Sequence, residues 1–255
     1  MAKVKNLKIK RMLVSQPKPE AEKSPYFELA DKYAIDIHFR PFIHVEGIPA
    51  KEFRLQRISI IEHSAVILPS RNAVDNFFRI ANEMRLVIPD TMKYFCVSES
   101  TAFYLQKYVQ YRKRKIFHGL HTFRDLGEII KKHKEEKYLI PCSDIRKDEI
   151  STFMESNKIK YTKALMHKTV ISNLKDMKSV NYDMLVFFSP SGIKSLFKNF
   201  PKFKQNKTKI AAFGPSTALA AEKAGLKLHV HAPTPQAPSM TMALEQYIVE
   251  LAKEK

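Results

Sequence analysis

The sequence predicts an α/β protein with parallel sheets, organised as two similar halves. Short apolar runs free of charge, the pattern of strands buried on both faces, alternate with segments of helical spacing along the whole chain. Many of these runs end in a small polar turn that opens a helix. One strand–turn–helix pair also occurs twice: AVILPSRNAVDNFF followed by FCVSESTAFYL, and MLVFFSPSGIKSLF followed by AAFGPSTALAA. The repeat aligns Ser70 with Ser189 and Thr101 with Thr217, and two copies of one design imply two α/β lobes.

The elements follow in order. Arg11–Ser15 is the first strand, closed by the turn Gln16-Pro17-Lys18-Pro19. Ser24 caps a helix that has Pro25 at its first position and runs to Tyr33. Ile35–Val45 is extended and is punctuated by Gly47 and Pro49. Phe53–Ile61 has apolar residues at helical spacing. Ala65–Leu68 is a buried strand, then Pro69-Ser70-Arg71-Asn72 opens a helix through Val74, Phe77 and Ile80. Tyr94–Val97 is the next strand, with Ser98-Glu99-Ser100-Thr101 leading into a helix over Ala102–Tyr108. A short strand, Lys115–Phe117, precedes a helix from Phe123 to Lys132 capped by Thr122. Tyr138–Pro141 is a strand and Ile150–Asn157 a helix. Lys160–Val170 is extended again.

The centre of the chain's chemistry is 184–218. Met184–Phe188 is a buried run, broken by Ser189-Pro190-Ser191-Gly192, and helical spacing resumes from Ile193 to Phe200. Ile210–Phe213 is a second such run, broken by Gly214-Pro215-Ser216-Thr217, before a helix that stops at Gly225. A strand at Lys227–His231, a Pro-rich turn and a helix over Ser239–Ala252 complete the chain. Each of the two turns offers free N–H groups and hydroxyls at a helix start, a site suited to carboxylate or phosphate oxygens. Ser189, Ser191, Gly192, Pro215, Ser216 and Thr217 are the binding candidates there. Ser70, Ser100 and Thr101 are their counterparts in the other half, and Arg71 is placed to pair with a carboxylate. Ordinary helix capping by Ser189, Thr217 or Ser70 is compatible with the same sequence, and a single arginine such as Arg71 is commonly just a solvated charge.

Composition excludes several classes. The longest apolar runs reach about five residues, against the ~20 that span a bilayer. Met12–Val14 is too short for a signal peptide, so a cytoplasmic protein without membrane contact is expected. The net charge of +18, from 44 basic and 26 acidic residues, admits nucleic acid, an anionic membrane or a polyanionic small molecule as partner. Lysine dominates and is scattered, so general composition accounts for most of this charge. The stretch 106–115, QKYVQYRKRK, mixes basic and aromatic residues suited to gripping a nucleic-acid backbone. A helix C-terminus with lysine and arginine favoured by the dipole is the preferred reading, and nucleic acid is the weaker one. Cys96 and Cys142 have no CxxC partner and read as buried thiols. His118 and His121, and His229 and His231, are close pairs without a third ligand, so no metal is expected.

The motifs VFFSPSG at 186–192 and FGPSTALAAEKAGL at 213–226, followed by a strand, a Thr234-Pro235 turn and a closing helix, resemble the C-terminal signature of the uroporphyrinogen-III synthase family. ILPSRNAV at 67–74 and VSESTA at 97–102 match its other half more loosely. The resemblance implies two flavodoxin-like lobes with parallel sheets joined by a two-stranded linker. One lobe is built from 1–42 and 172–255, the other is inserted over 50–160, and the linkers are 43–49 and 161–171. The implied reaction closes the linear tetrapyrrole hydroxymethylbilane with inversion of its terminal ring and loss of water. It uses no cofactor, in a monomer whose partner is this small polycarboxylate. Where the family carries a linker tyrosine as candidate acid, this chain has His167, in the frame kept by Thr169. His167 is therefore the candidate general acid and Tyr161 the fallback. Where the family often has an arginine near strand one, this chain has Gln16. The departure at His167 motivates an alternative, a non-catalytic two-lobe relative that binds an anionic ligand. Charge alone motivates a third, a nucleic-acid-binding protein.

Overall fold

The computed structural model describes residues 8–120, 123–143, 148–177 and 179–253. In chain order the elements are β1 (Arg11–Val14), α1 (Pro25–Tyr33), β2 (Asp36–Phe39), β3 (Ile43–Gly47), α2 (Ala50–Arg54), β4 (Ala65–Leu68), α3 (Arg71–Glu83), β5 (Lys93–Cys96), α4 (Glu99–Leu105), β6 (Ile116–His118) and α5 (Phe123–Lys131). They continue with β7 (Tyr138–Cys142), α6 (Glu149–Ser156), β8 (Tyr161–Leu165), β9 (His167–Ile171), β10 (Met184–Phe187), α7 (Pro190–Asn199), β11 (Lys209–Phe213), α8 (Pro215–Lys223), β12 (Leu228–Ala232) and α9 (Met240–Lys253). The chain divides into two compact units, one from Met1–His44 and Val170–Lys255, the other from Val45–Thr169.

Each unit holds a five-stranded parallel sheet. The order is β2-β1-β10-β11-β12 in the first and β8-β7-β4-β5-β6 in the second. The first is the flavodoxin order 2-1-3-4-5. The second is the same arrangement entered at a different strand: β4 takes the place of β10, and β7 and β8 those of β1 and β2. The repeat read from sequence is thus the shared half, β4–α3–β5–α4 against β10–α7–β11–α8. The central strands are apolar without alternation because helices cover both faces. Met184 and Val186 pack on one side, with the buried faces of α1 and α9, and Leu185 and Phe187 on the other, with α7 and α8. In the second unit Val66 and Leu68 face α3 and α4, while Ala65 and Ile67 face α5 and α6. No helix among the described residues is long and apolar enough to cross a membrane.

Several elements differ from expectation. The extended run 35–45 is two strands, β2 joining the first unit's main sheet and β3 pairing with β9 in a separate two-stranded sheet. The run 160–170 divides likewise: β8 is an edge strand of the second unit's sheet, and only β9 pairs with β3. Phe53–Ile61 is helical only to Arg54. Arg57 takes a left-handed φ of 55° after the helix, and Phe53 is buried from α2 while Ile60 is buried from the loop that follows. The helix expected over Ala102–Tyr108 starts earlier, at Glu99, because Ser98 caps it, and it ends at Leu105. Thr122 lies outside the described residues.

Each unit grips its own end of the two chain crossings from the helix that follows the repeated cap. In the first unit, buried Ser195 of α7 donates to Phe42 O at 2.6 Å and Asn199 donates to Ser172 O at 3.0 Å. In the second, Arg79 of α3 donates through Nη2 to Ile48 O at 2.8 Å and Met166 O at 3.1 Å. Its Nε donates to Asn76 Oδ1 at 3.1 Å and its Nη1 to Glu83 Oε1 at 2.6 Å. Gly47 makes room for this guanidinium: a Cβ there would stand 2.5 Å from Arg79 Nε.

Arg79→Met is expected to lower the unfolding free energy by about 2 kcal/mol, because a charge-assisted bond is lost and the Ile48 carbonyl left without it. Gly47→Ala should cost a comparable amount alone and little in the Arg79→Met background. Urea unfolding of the double-mutant cycle measures this, and strictly additive losses would refute the clamp.

Candidate functional site

In open parallel sheets, ligands bind beyond the carboxyl ends of the strands, where neighbouring strands send their helices to opposite faces. In the first unit that point lies between β1 and β10. The Ser189 hydroxyl accepts from Gly192 N–H at 3.2 Å and caps α7, with Pro190 at the first helical position. Gly192 is buried, and a Cβ there would come to 3.4 Å from the Phe187 ring and 3.8 Å from Ser15 Oγ. Ser15 was not singled out by sequence reading. Its signal is a small polar residue ending an apolar run just before a Pro-rich turn.

The second helix start of this unit is built differently from expectation. Thr217 is not the N-cap of α8; Gly214 is, at φ +84°, with no side-chain bond to the helix. That left-handed conformation suits glycine. Gly214 N–H donates to Ala232 O at 2.6 Å, and Thr217, which is buried, donates its N–H to Gly214 O at 3.2 Å. Pro215 has no N–H to offer. The N–H of exposed Ser216 has no acceptor among the described residues, leaving the first turn of α8 open to an anion.

In the second unit Ser70 caps α3, its hydroxyl accepting from Ala73 N–H at 3.3 Å. Arg71 lies over the Tyr104 ring at 5.3 Å. Ser98 caps α4, accepting from Thr101 N–H at 3.3 Å, and its hydroxyl bonds those of Ser100 at 3.0 Å and Thr101 at 3.1 Å. Ser100 is exposed and Thr101 buried.

The point between β7 and β4 is a cavity of about 200 Å³, whose lining includes Ser70, Ala73, Pro141, Cys142, Asp148 and His167. The structure therefore brings Ser70 and His167 together, and does not place Tyr161, Arg71, Ser100 or Thr101 in that cavity. His167 is 7% exposed, and its Nδ1 is buried without a hydrogen-bond partner. Burial first, and then the Arg79 guanidinium, push the His167 pKa below the ordinary imidazole value. The ring is thus held neutral, and its imidazolium form is disfavoured. Tyr161 is tied up elsewhere: its hydroxyl donates to Glu155 Oε1 at 2.9 Å, and burial, then that carboxylate, push its pKa up. Two neighbours were missed from sequence, Asp148 and Lys163. Asp148 makes a capping box with Ser151 and pairs with Lys163 Nζ at 2.8 Å. Burial works to raise the Asp148 carboxyl, but Lys163 and Ser151 hold it below its usual value. Cys142 is half-buried rather than buried, and Cys96 is buried.

The family model described as uroporphyrinogen-III synthase HemD matches residues 24–242. No match was found among curated proteins. Among solved structures, uroporphyrinogen-III synthetase from Helicobacter pylori is similar with a TM-score of 0.61 at 17% identity, over 95% of this chain and 100% of that one. A mutant uroporphyrinogen III synthase from Thermus thermophilus is similar with a TM-score of 0.56 at 14% identity, over 94% and 99%. At such identities the structural likeness speaks for the fold, and the family match speaks for descent.

Four histidines, His63, His133, His167 and His229, are pushed down chiefly by burial. The folded state therefore binds fewer protons than the unfolded chain below the ordinary imidazole value of about 6.5. Their contribution is fully present above that pH and is lost as the pH falls through the depressed values. Denaturant midpoints are expected to fall between pH 7.5 and 5.5, and His63→Asn and His167→Asn should each flatten that decline. An unchanged slope in both variants would show that these rings do not set it.

Proposed function

We propose that this chain, which belongs to the uroporphyrinogen-III synthase family and is a cyclising lyase of tetrapyrrole biosynthesis, works chiefly by holding its substrate's carboxylates on helix starts. The observation that carries this is the paired set of turns at the carboxyl edges: Ser189, Ser191 and Gly192 with Ser216 and Thr217 in one unit, Ser70 with Ser100 and Thr101 in the other. Each set offers N–H or hydroxyl donors at the positive end of a helix. Pro215 fixes the entry to α8 without competing for an anion, and Arg71 adds charge beside Ser70.

Ring closure of hydroxymethylbilane expels a hydroxyl and joins its carbon to the substituted position of the terminal ring; the bridge bond already at that position breaks and re-forms at the ring's free α-carbon, which inverts the ring. The departing oxygen takes a proton and leaves as water, and that α-carbon loses its proton as the pyrrole regains aromaticity, so the sum is neutral. The demand on the protein is to hold a flexible chain in one reactive conformation. His167 serves this as a neutral ring whose Nε2 can meet the substrate, while its Nδ1 is buried. An imidazolium beside Arg79 would repel its neighbour and lose solvation, so a protonated ring poised as general acid fits the site less well.

The test generates hydroxymethylbilane from porphobilinogen with its deaminase, adds the protein and resolves the product isomers. The type III isomer is expected; type I alone would leave a non-catalytic relative that binds an anion. Ser189→Ala and Ser70→Ala should each cost about 1 kcal/mol of stability as lost caps and also raise KM severalfold. An unchanged KM would assign these residues to capping alone. A general acid contributes about 100- to 10,000-fold, so His167→Phe should lower kcat less than that range. A larger loss would restore His167 as the acid.

A further inference from the structure

The amino ends of β5 and β6, opposite the edge that carries Ser70 and Ser98, open onto a second cavity of about 440 Å³. That is an ordinary size for a small-molecule site. One wall is aromatic and fixed in place. Phe78 and Tyr108 stack with centroids 4.5 Å apart and planes 3° apart, and the Tyr108 hydroxyl donates to Asp75 Oδ1 at 2.7 Å. Asp75 also accepts from Tyr104 at 3.0 Å, so one carboxylate anchors both rings. Tyr94 of β5 lines the cavity at 5% exposure, and its hydroxyl has no partner among the described residues. Burial, helped by the Asp90 carboxylate, pushes the Tyr94 pKa up to about 12, so the group stays a neutral donor. Arg112 and Lys115 line the same space without an ion-pair partner among the described residues, and Asp90 supplies a carboxylate acceptor.

We propose that this cavity binds a nucleoside 5′-monophosphate, with its base against the Phe78–Tyr108 wall and its phosphate on Arg112 and Lys115. The Tyr94 hydroxyl and the Asp90 carboxylate take the polar edge of the base or the ribose hydroxyls. A guanidinium fork matches phosphate oxygens in geometry, and two cations suit a monoester carrying nearly two negative charges at neutral pH. An aromatic face accepts any base, so the site discriminates little between them. A single cationic corner beside an aromatic wall suits this ligand and not the polycarboxylate substrate. The basic and aromatic stretch 106–115 supplies Tyr108, Arg112 and Lys115 to this cavity. It is independent of the substrate-binding reading, since the two share no residue.

Isothermal titration of the full chain with AMP and UMP tests it, with adenosine, ribose 5-phosphate and inorganic phosphate as partial ligands. Both nucleotides are expected to bind with Kd of about 100 µM or tighter, and each partial ligand at least tenfold more weakly. Arg112→Gln should weaken AMP at least tenfold. Tyr94→Phe should weaken it severalfold without lowering Tm, since the hydroxyl it removes has no partner to lose. No heat at millimolar nucleotide, phosphate binding as tightly as AMP, or AMP affinity unchanged in Arg112→Gln would each overturn the proposal.

Discussion

Parallel strands cannot be joined by a tight turn, so each must return to the start of the next through a crossover helix. Every other feature of this chain is arranged by that constraint. It buries the central strands on both faces, which is why Ala65–Leu68 and Met184–Phe187 carry no polar residue. It also sends the carboxyl end of each central strand directly into a helix start. The small polar turns therefore lie along one edge of each sheet, and Ser70, Ser98, Ser189 and Gly214 fill equivalent places. This row of helix starts is a by-product of closing the sheet.

The same helices secure the point where the chain passes from one unit to the other. Both α3 and α7 begin at a switch-point cap, and both hold passing backbone carbonyls with polar side chains further along. The first unit uses a buried serine and an asparagine, while the second uses Arg79 with Gly47 cut away to admit it. The choice of arginine has an electrostatic consequence. It satisfies the backbone on either side of the crossing, and it puts a fixed positive charge near His167. Burial comes first in keeping the histidine neutral, and the Arg79 clamp adds to it. A positive charge of +18 acts in the same direction over the whole molecule, favouring an anionic substrate and disfavouring further protonation.

The two units also differ in how they are threaded. The first begins with its β1–β2 pair and the second ends with the corresponding β7–β8 pair. Aligning the chain end to end cannot reveal the match, because the equivalent strands occur in a different order. What survives in the sequence is the contiguous stretch common to both, and that is the repeat that aligns Ser70 with Ser189.

The sequence by itself determined the fold class, the doubling and the position of the anion-ready turns. Those rest on local physics: strand period, capping chemistry and the small residues a helix start requires. It also placed His167 near a crossing, through the motif frame kept by Thr169. It misjudged Thr217 as a possible cap, since the hydroxyl suggests capping while the actual cap, Gly214, is set by a positive φ that local sequence does not display. It passed over Ser15 and Asp148, whose local marks are only a following Pro-rich turn and a capping box, and it did not find Arg79. Ser15 matters through Gly192, Arg79 through carbonyls at Ile48 and Met166, and Asp148 through Lys163. Only the tertiary structure decided those partners, and with them the protonation of His167. A pKa is set by desolvation and by charges brought close in space, and neither is written in local sequence.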